Sequence, residues 1–373
     1  MTHINFDAAP AIRAAAILKH GFDSRQTIPV LSYMRIAPVR VGMRLTVTDL
    51  DKEVSTVVEG SWTGPRKPFL IPFRAFLAAV GADKTSAIAL AFDAANSMAT
   101  LSFGGITAKL KCLCDVADFP MMTVADGPRE NVSMSEPDLY RHFKVIRHCV
   151  SKEETRYYLN GIAMMPHPER ATLRTVCTDG HRLGIYDTET KWPVNAHGIF
   201  PTSLVDAVLT CVQPDGNRDV TLSIDPDHLT RVRIVVGDVT IKAKLIDGTF
   251  PDYTRVLPRH TVPFRVNVTA LGVRRPIRIA QALGGDRTPG TKLDAREGRG
   301  LITCVDGGDV SFPIEVAAFG QKGNGIIGFN GNYLVDQGRA TPTFQLAYED
   351  SASPAEITCE DPNAFFVLMP MRV

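Results

Sequence analysis

Apolar residues recur at helical spacing in three separate stretches of the chain. Leu139, Phe143, Ile146 and Val150 fall at i, i+4, i+7 and i+11, which places them on one helix face. Val273, Ile277 and Ala280 repeat the pattern, and Ile12, Ala15 and Leu18 give a shorter version. Period-two alternation follows, as at 44–47, 172–176 and 232–236, and predicts strands. A second helix is predicted to start at each of Pro72, Pro201 and Asn330. Proline suits a first helical turn because its missing N–H would have no partner there. The pattern is α+β, with two helices and several strands in each unit.

The units are related to one another. Thr48-Asp-Leu50 recurs as Thr178-Asp-Gly180. Segments beginning Ile71-Pro-Phe, Phe200-Pro-Thr and Phe329-Asn-Gly stand at equal intervals. A third series closes the units, with prolines at 120, 251 and 370. All three series keep one order and a period of about 120–130 residues, which is too long for a solenoid repeat and fits whole domains. The chain divides into three similar domains, 1–125, 126–256 and 257–373.

Composition supports a folded protein. The 373 residues are 45% hydrophobic and 22% charged, which excludes disorder as the main state. The apolar stretch at 68–81 is interrupted by Pro72 and Arg74 and falls short of a membrane span. Asp7 and Arg13 argue against a signal peptide. The seven cysteines (112, 114, 149, 177, 211, 304 and 359) include no CxxC pair. They read as reduced, mostly buried thiols of a cytoplasmic protein, with Cys112 and Cys114 on one face of a strand.

Net charge is +1, and its distribution matters more than its sum. By thirds the basic and acidic counts are 13 and 10, 16 and 18, then 12 and 12. The early helices are the basic elements. Arg141, Lys144, Arg147 and Lys152 lie opposite one apolar face, Arg274, Arg275 and Arg278 opposite another, and Arg13 and Lys19 accompany the first. Each such helix taken alone reads as a solvated charged face, and repetition across three domains raises the alternative of a shared surface that holds a polyanion without reading its sequence.

Signals for catalysis are weak. Asp179 and His181 lack a nucleophile or metal partner, and His142 and His148 fall on different helix faces. Gly323-Asn-Gly-Ile-Ile-Gly328 matches GxGxxG, but a strand follows the loop where a dinucleotide site needs a helix, so a hairpin turn is expected. No enzymatic activity, metal or cofactor is expected.

Several longer motifs carry a resemblance. They are Arg156-Tyr-Tyr-Leu-Asn-Gly161, Cys177-Thr-Asp-Gly-His-Arg-Leu183, Lys244-Leu-Ile-Asp-Gly-Thr-Phe-Pro-Asp-Tyr-Thr-Arg-Val-Leu-Pro258 and the ending Val367-Leu-Met-Pro-Met-Arg-Val373. With Arg25-Gln-Thr-Ile-Pro-Val-Leu31 they make the chain similar to the bacterial sliding clamp, the beta subunit of DNA polymerase III. The resemblance implies three tandem clamp folds, each with two helices and antiparallel sheets, closing a ring as a head-to-tail homodimer. It implies double-stranded DNA, the polymerase III alpha subunit, the clamp loader and other clamp-binding proteins as partners, with no membrane. Such a ring tethers a polymerase by topology and needs no bond-making residue.

The resemblance also implies sites. A peptide-binding cleft would use Leu159, Thr178, Gly180, His181, Arg182, Leu183, Pro251, Arg255, Val256, Pro354, Val367, Leu368, Met369, Pro370, Met371 and Arg372. DNA would meet Arg25, Arg74, Tyr157 and Tyr158, joined by the basic-helix residues Arg141, Lys144, Arg274 and Arg278. Two departures stand out: Glu153 adds a carboxylate beside Glu154 in the DNA loop, and Pro354 replaces a serine of relatives. A divergent paralogue serving repair or plasmid partners is one alternative, and a dinucleotide-dependent enzyme built on 323–328 is another.

Overall fold

The computed structural model describes residues 1–123, 130–225, 229–258, 264–283, 290–303, 308–318 and 325–372. Cys304, Gly323 and Asn324 lie outside them. Six helices occur among the described residues: α1 (Ala8–Leu18), α2 (Phe73–Ala82), α3 (Glu136–Lys144), α4 (Thr202–Cys211), α5 (Ala270–Ala282) and α6 (Gly331–Ala340). By contact density the chain forms two compact units. One comprises Met1–Tyr140 and Ser203–Leu245, the other Arg141–Thr202 and Ile246–Val373.

The first unit holds two antiparallel sheets. In the smaller, Thr2–Phe6 lies between Ser61–Thr63 and Ile88–Asp93, and Met98–Phe103 and Ile106–Lys111 follow in order. The larger has eight strands. It runs from Glu130–Ser135 through Asp219–Ile224, Arg231–Val236 and Val239–Lys244 to Lys52–Val58, Met43–Thr48, Tyr33–Pro38 and Phe69–Pro72. Alternation explains its inner face: Val232, Ile234 and Val236 are buried while Arg231 and Arg233 are half-buried. Helix α1 buries Ala11, Ala14, Ala15, Ile17 and Leu18, so its core face is offset from Ile12, which is only half-buried.

In the second unit a nine-stranded antiparallel sheet carries Thr172–Thr178, Arg182–Lys191, Ala364–Leu368 and Ala355–Cys359 as consecutive neighbours. A four-stranded sheet orders Asp309–Pro313, Arg299–Thr303, Gly290–Asp294 and Ile326–Asn330.

One pairing rule recurs along the chain. A strand before a helix pairs with the strand after the next helix: Thr2–Phe6 with Ile88–Asp93, Glu130–Ser135 with Asp219–Ile224, and Phe264–Thr269 with Thr343–Tyr348. Likewise Tyr33–Pro38 pairs with Phe69–Pro72, Gly161–Pro166 with Gly198–Pro201, and Gly290–Asp294 with Ile326–Asn330. Sheets also continue across successive repeats, through Lys52–Val58 against Val239–Lys244 and Arg182–Lys191 against Ala364–Leu368. Those ladders explain why contact density groups the chain differently from its sequence period.

Several local expectations need correction. Helix α3 ends at Lys144, and a 3-10 turn at Arg147–Cys149 follows. Ile146 and Val150 remain buried because the tighter turn keeps them inward. Pro72 is the N-cap of α2 and Pro201 ends a strand just before α4, so neither occupies the first helical turn. Cys112 and Cys114 lie beyond the strand Ile106–Lys111, with Cys112 buried and Cys114 half-buried. All six described cysteines are free, and four are buried. Among the described residues no helix is long and apolar enough to cross a membrane.

Candidate functional site

The segment Thr178–Arg182 is a turn built from its own side chains. Thr178 Oγ1 donates to the Arg182 carbonyl at 2.7 Å and accepts the Gly180 N–H at 3.1 Å. Asp179 Oδ1 accepts the N–H groups of His181 and Arg182 at 2.9 and 3.0 Å. Gly180 takes φ +90° there, a region that costs a side-chain-bearing residue energy. The turn delivers Leu183 into the ladder directly opposite Val367. Met369 then closes the turn, its N–H donating to the His181 carbonyl at 2.8 Å.

Leu183 and Val367 are buried with Val176, Ile185 and Tyr253, and Phe250 and Leu257 pack on this cluster. Above it opens a cavity of about 180 Å³. Leu159, Leu183, Val256, Val367 and Met369 supply its apolar wall, and Pro251 and Tyr253 a second side. Thr178, Gly180, Arg182 and Asp252 complete the lining.

The polar groups at the rim are held in place. Arg182 Nε donates to Asp179 at 2.9 Å and Nη1 to Asp336 at 3.1 Å, while its guanidinium lies 4.3 Å over the Tyr333 ring. The Tyr253 hydroxyl accepts from Arg174 Nη1 at 3.2 Å, and Arg174 grips Asp187 through two hydrogen bonds, both of 2.7 Å. Burial alone would lower the Arg174 pKa, but Asp187 and the Tyr253 hydroxyl more than reverse this and raise it. The Thr254 hydroxyl and then Arg255 hold the Asp252 carboxyl below its ordinary range.

Nine residues named from the sequence line this cavity: Leu159, Thr178, Gly180, Arg182, Leu183, Pro251, Val256, Val367 and Met369. The others do not. Leu368 alternates with Val367 and is buried on the opposite face of its strand. The exposed His181 ring stacks 6.3 Å from Tyr333, and Arg255 pairs outside with Asp252 at 3.0 Å. Met371 is drawn away by its N–H bond to the Gly328 carbonyl, at 2.9 Å, between half-buried Pro370 and exposed Arg372. Pro354 precedes Ala355, which pairs with Leu368. Asp252 and Tyr253 line the cavity as well, although the sequence does not single them out as cleft residues. A signal for them exists in the Phe250-Pro-Asp-Tyr253 marker, since Asp252 caps the following 3-10 turn and aims Tyr253 inward.

The candidate DNA-contact residues occupy both units. Arg74 donates to the Ser24 carbonyl and lies 5.9 Å over the Phe22 ring, which holds it against the segment carrying exposed Arg25. In the second unit, Tyr157 is 54% exposed and meets Tyr158 edge-on at 5.8 Å. Glu153 pairs with Arg156 at 3.4 Å, which offsets part of its charge. Arg141, Lys144 and Arg278 are exposed, whereas Arg274 is half-buried with its Nε unpartnered. Two helix faces are less basic than expected. Arg13 is paired with Asp238 at 2.7 Å, and α5 exposes Leu271 and Ile279 beside its arginines. Among the described residues no cluster of three metal-ligating side chains occurs. Gly325, at φ +72°, leads into the strand Ile326–Asn330, and α6 begins only after it, so no helix opens at that loop.

Comparison with known proteins bears on the fold and the family. The family described as "DNA polymerase III beta subunit, central domain" matches residues 134–252. The beta sliding clamp of Caulobacter vibrioides is 30% identical over 99% of this chain and 100% of its own length. That of Pseudomonas aeruginosa is 28% identical over the whole of both chains. Among solved structures, a Caulobacter crescentus beta sliding clamp superposes with a TM-score of 0.88 at 26% identity, covering 100% of this chain and 99% of that one. A Bartonella birtlesii DnaN sliding clamp bound to griselimycin gives 0.85 at 27% identity, with both chains fully covered. A repeated α+β fold and a likeness running the length of the chain lead to one conclusion: the chain belongs to the beta sliding clamp family, the non-catalytic processivity subunits of DNA polymerase III.

Proposed function

We propose that this sliding clamp works as a head-to-tail homodimer of three-domain chains, with domains 1–125, 126–256 and 257–373, that encircles double-stranded DNA in the cytoplasm. Its cleft takes short peptides from the polymerase III alpha subunit, the clamp loader and other clamp-binding proteins. The observation that carries this reading is the cavity over Leu183 and Val367, walled by Tyr253 and edged by Arg182. An apolar anchor gains by leaving water for that wall, while the pinned Arg182 guanidinium orients the peptide backbone. Arg182 is already fixed by Asp179 and Asp336, so little order has to be imposed on binding.

The DNA contact needs only weak, mobile phosphate interactions, because a closed ring is retained by topology. Arg25, Arg141, Lys144 and Arg278 are exposed side chains suited to it, and Tyr157 offers an aromatic face to an unstacked base.

A loading assay on nicked circular DNA tests the ring. Retention on circles and release after linearisation is the expected result, and equal retention on both forms overturns it. For the cleft, an uncharged peptide with a Leu-Phe anchor is expected to bind the parent chain and to lose affinity with Val256→Asp. Unchanged affinity in that variant would place the peptide elsewhere.

A further inference from the structure

The turn that frames the cleft has a counterpart one repeat earlier, in the other unit. Thr48 Oγ1 donates to the Lys52 carbonyl at 2.9 Å and accepts the Leu50 N–H at 3.1 Å. Asp49 Oδ1 accepts the N–H groups of Asp51 and Lys52 at 3.0 and 2.7 Å, and its Oδ2 receives Lys52 Nζ at 2.8 Å. Every one of these bonds repeats a bond of Thr178–Arg182. The closing bond recurs too: the Lys244 N–H donates to the Asp51 carbonyl at 2.9 Å, as Met369 does to His181. Beside this first turn lies a cavity of about 200 Å³, lined among others by Leu50, Pro120, Met121, Met122, Arg231 and Lys244.

The side chains differ from those of the cleft in ways that define a different occupant. Leu50 stands at φ +76°, where the cleft has Gly180. A left-handed leucine carries a steric cost, and Leu50 is nonetheless 39% exposed at the groove. Met121 is exposed beside it. The wall they belong to is rigidly mounted. The Met122 N–H donates to Glu53 at 2.6 Å, its carbonyl accepts from Lys242 at 2.9 Å, and these two side chains pair at 2.8 Å. Glu53, only 3% exposed, occupies the place that Leu183 has in the cleft. The rim is cationic. Arg231 donates to the Thr123 carbonyl at 2.7 Å, and among the described residues no carboxylate pairs with it. Lys244 pairs at 3.1 Å with the exposed Asp51, a contact worth little in water.

We propose that this groove is a second docking site, for a short extended peptide carrying an apolar side chain next to acidic residues. The proposal rests on the reading of the turn-framed cleft as a peptide site. The apolar residue would pack on Leu50, Pro120 and the two methionines, whose flexible thioethers adapt to a range of shapes. The acidic neighbours would satisfy Arg231 and Lys244. The two grooves then sort partners by charge: the first is walled mainly by apolar side chains, and the second sets apolar side chains beside a cationic rim.

Fluorescence anisotropy on the full chain tests this with a labelled peptide bearing a central Leu-Phe pair flanked by Glu and Asp. A Lys-flanked version is the control. Saturable binding of the acidic peptide is expected, weakened by about tenfold or more in both Met121→Asp and Arg231→Glu and unchanged in Val256→Asp. Arg231→Gln should give a smaller loss in the same direction, and thermal melts report whether each variant is folded. Affinity reduced only in Val256→Asp, equal binding of the Lys-flanked peptide, or no saturable binding to the parent chain overturns the proposal. The uncharged peptide and Val256→Asp test the first cleft separately, so failure of one reading is distinguishable from failure of the other.

Discussion

Leu183 and Val367 are direct partners across an antiparallel ladder, although they come from segments far apart in the chain. Together they form the floor of the cleft, and both are buried. Leu183→Ala should therefore lower stability by about 2–5 kcal/mol, the usual cost of removing a buried leucine side chain. Urea unfolding measures this, and the uncharged peptide should bind the variant more weakly at low denaturant.

Arg174 and Asp187 make a partly buried two-point ion pair behind Tyr253. Asp187→Ala strands a desolvated guanidinium and is expected to cost about 3–5 kcal/mol. Tyr253→Phe removes one hydrogen bond and should cost about 0.5–1.5 kcal/mol, with the cavity wall otherwise intact. A difference of that order between the two variants in denaturant midpoints checks the assignment.

His142 is fully buried between the hydroxyls of Thr175 and Thr188, at 3.0 and 2.9 Å. Burial pushes its pKa down to about 3 from the ordinary 6.5. The folded chain keeps this ring neutral while the unfolded chain protonates it. The stability it contributes is therefore full above the unfolded value and is lost as pH falls toward the folded one. Between pH 7 and 5.5 the loss from this group should be about 1 kcal/mol. His148 shifts the other way, so the comparison to make is parent against His142→Gln. The parent should lose more stability than the variant over that interval, and parallel curves would sink the assignment.

Leu50 adopts its left-handed conformation inside a turn that its counterpart builds with Gly180. Leu50→Gly should raise stability by about 1 kcal/mol through relief of that strain. The same substitution should weaken the acidic peptide. A variant that is both more stable and a poorer binder is the outcome to look for, by thermal melting and anisotropy together.

Arg25 and Lys144 are exposed. Replacing each by Ala should leave folding unchanged and reduce the salt slope of DNA binding by about one for each phosphate no longer neutralised. Titration at several ionic strengths reads that slope directly.

Much of the fold was legible as local chemistry. The Thr-Asp-x-x-basic turn, the strand alternation and the helix starts after Pro72, Pro201 and Asn330 each depend on residues a few positions apart. Helix α3 shows the limit. Its apolar period runs to Val150, yet regular helix stops at Lys144, because a 3-10 turn keeps the same residues inward and periodicity does not separate the two. Arg13 shows another. It reads as a free cation on a polar face, but Asp238, from a distant part of the chain, neutralises it. The exposure of Leu271 and Ile279 on α5 likewise contradicts what an amphipathic pattern suggests.

The cleft divides along the same line. Its turn follows from side chains that bond their own backbone, so Thr178 and Asp179 announce it in the sequence, and the echo at Thr48 and Asp49 announces a second. Neither motif says what each groove is lined with. Strand pairing put Val367 in the cavity and Leu368 on the far face and set Glu53 with Lys242 where the other turn has leucine, while helix α6 brings Asp336 to Arg182. Turn geometry is a short-range property with few solutions. Ladder register and the neutralising of a charge are long-range, and they are decided only when distant strands compete for the same edge.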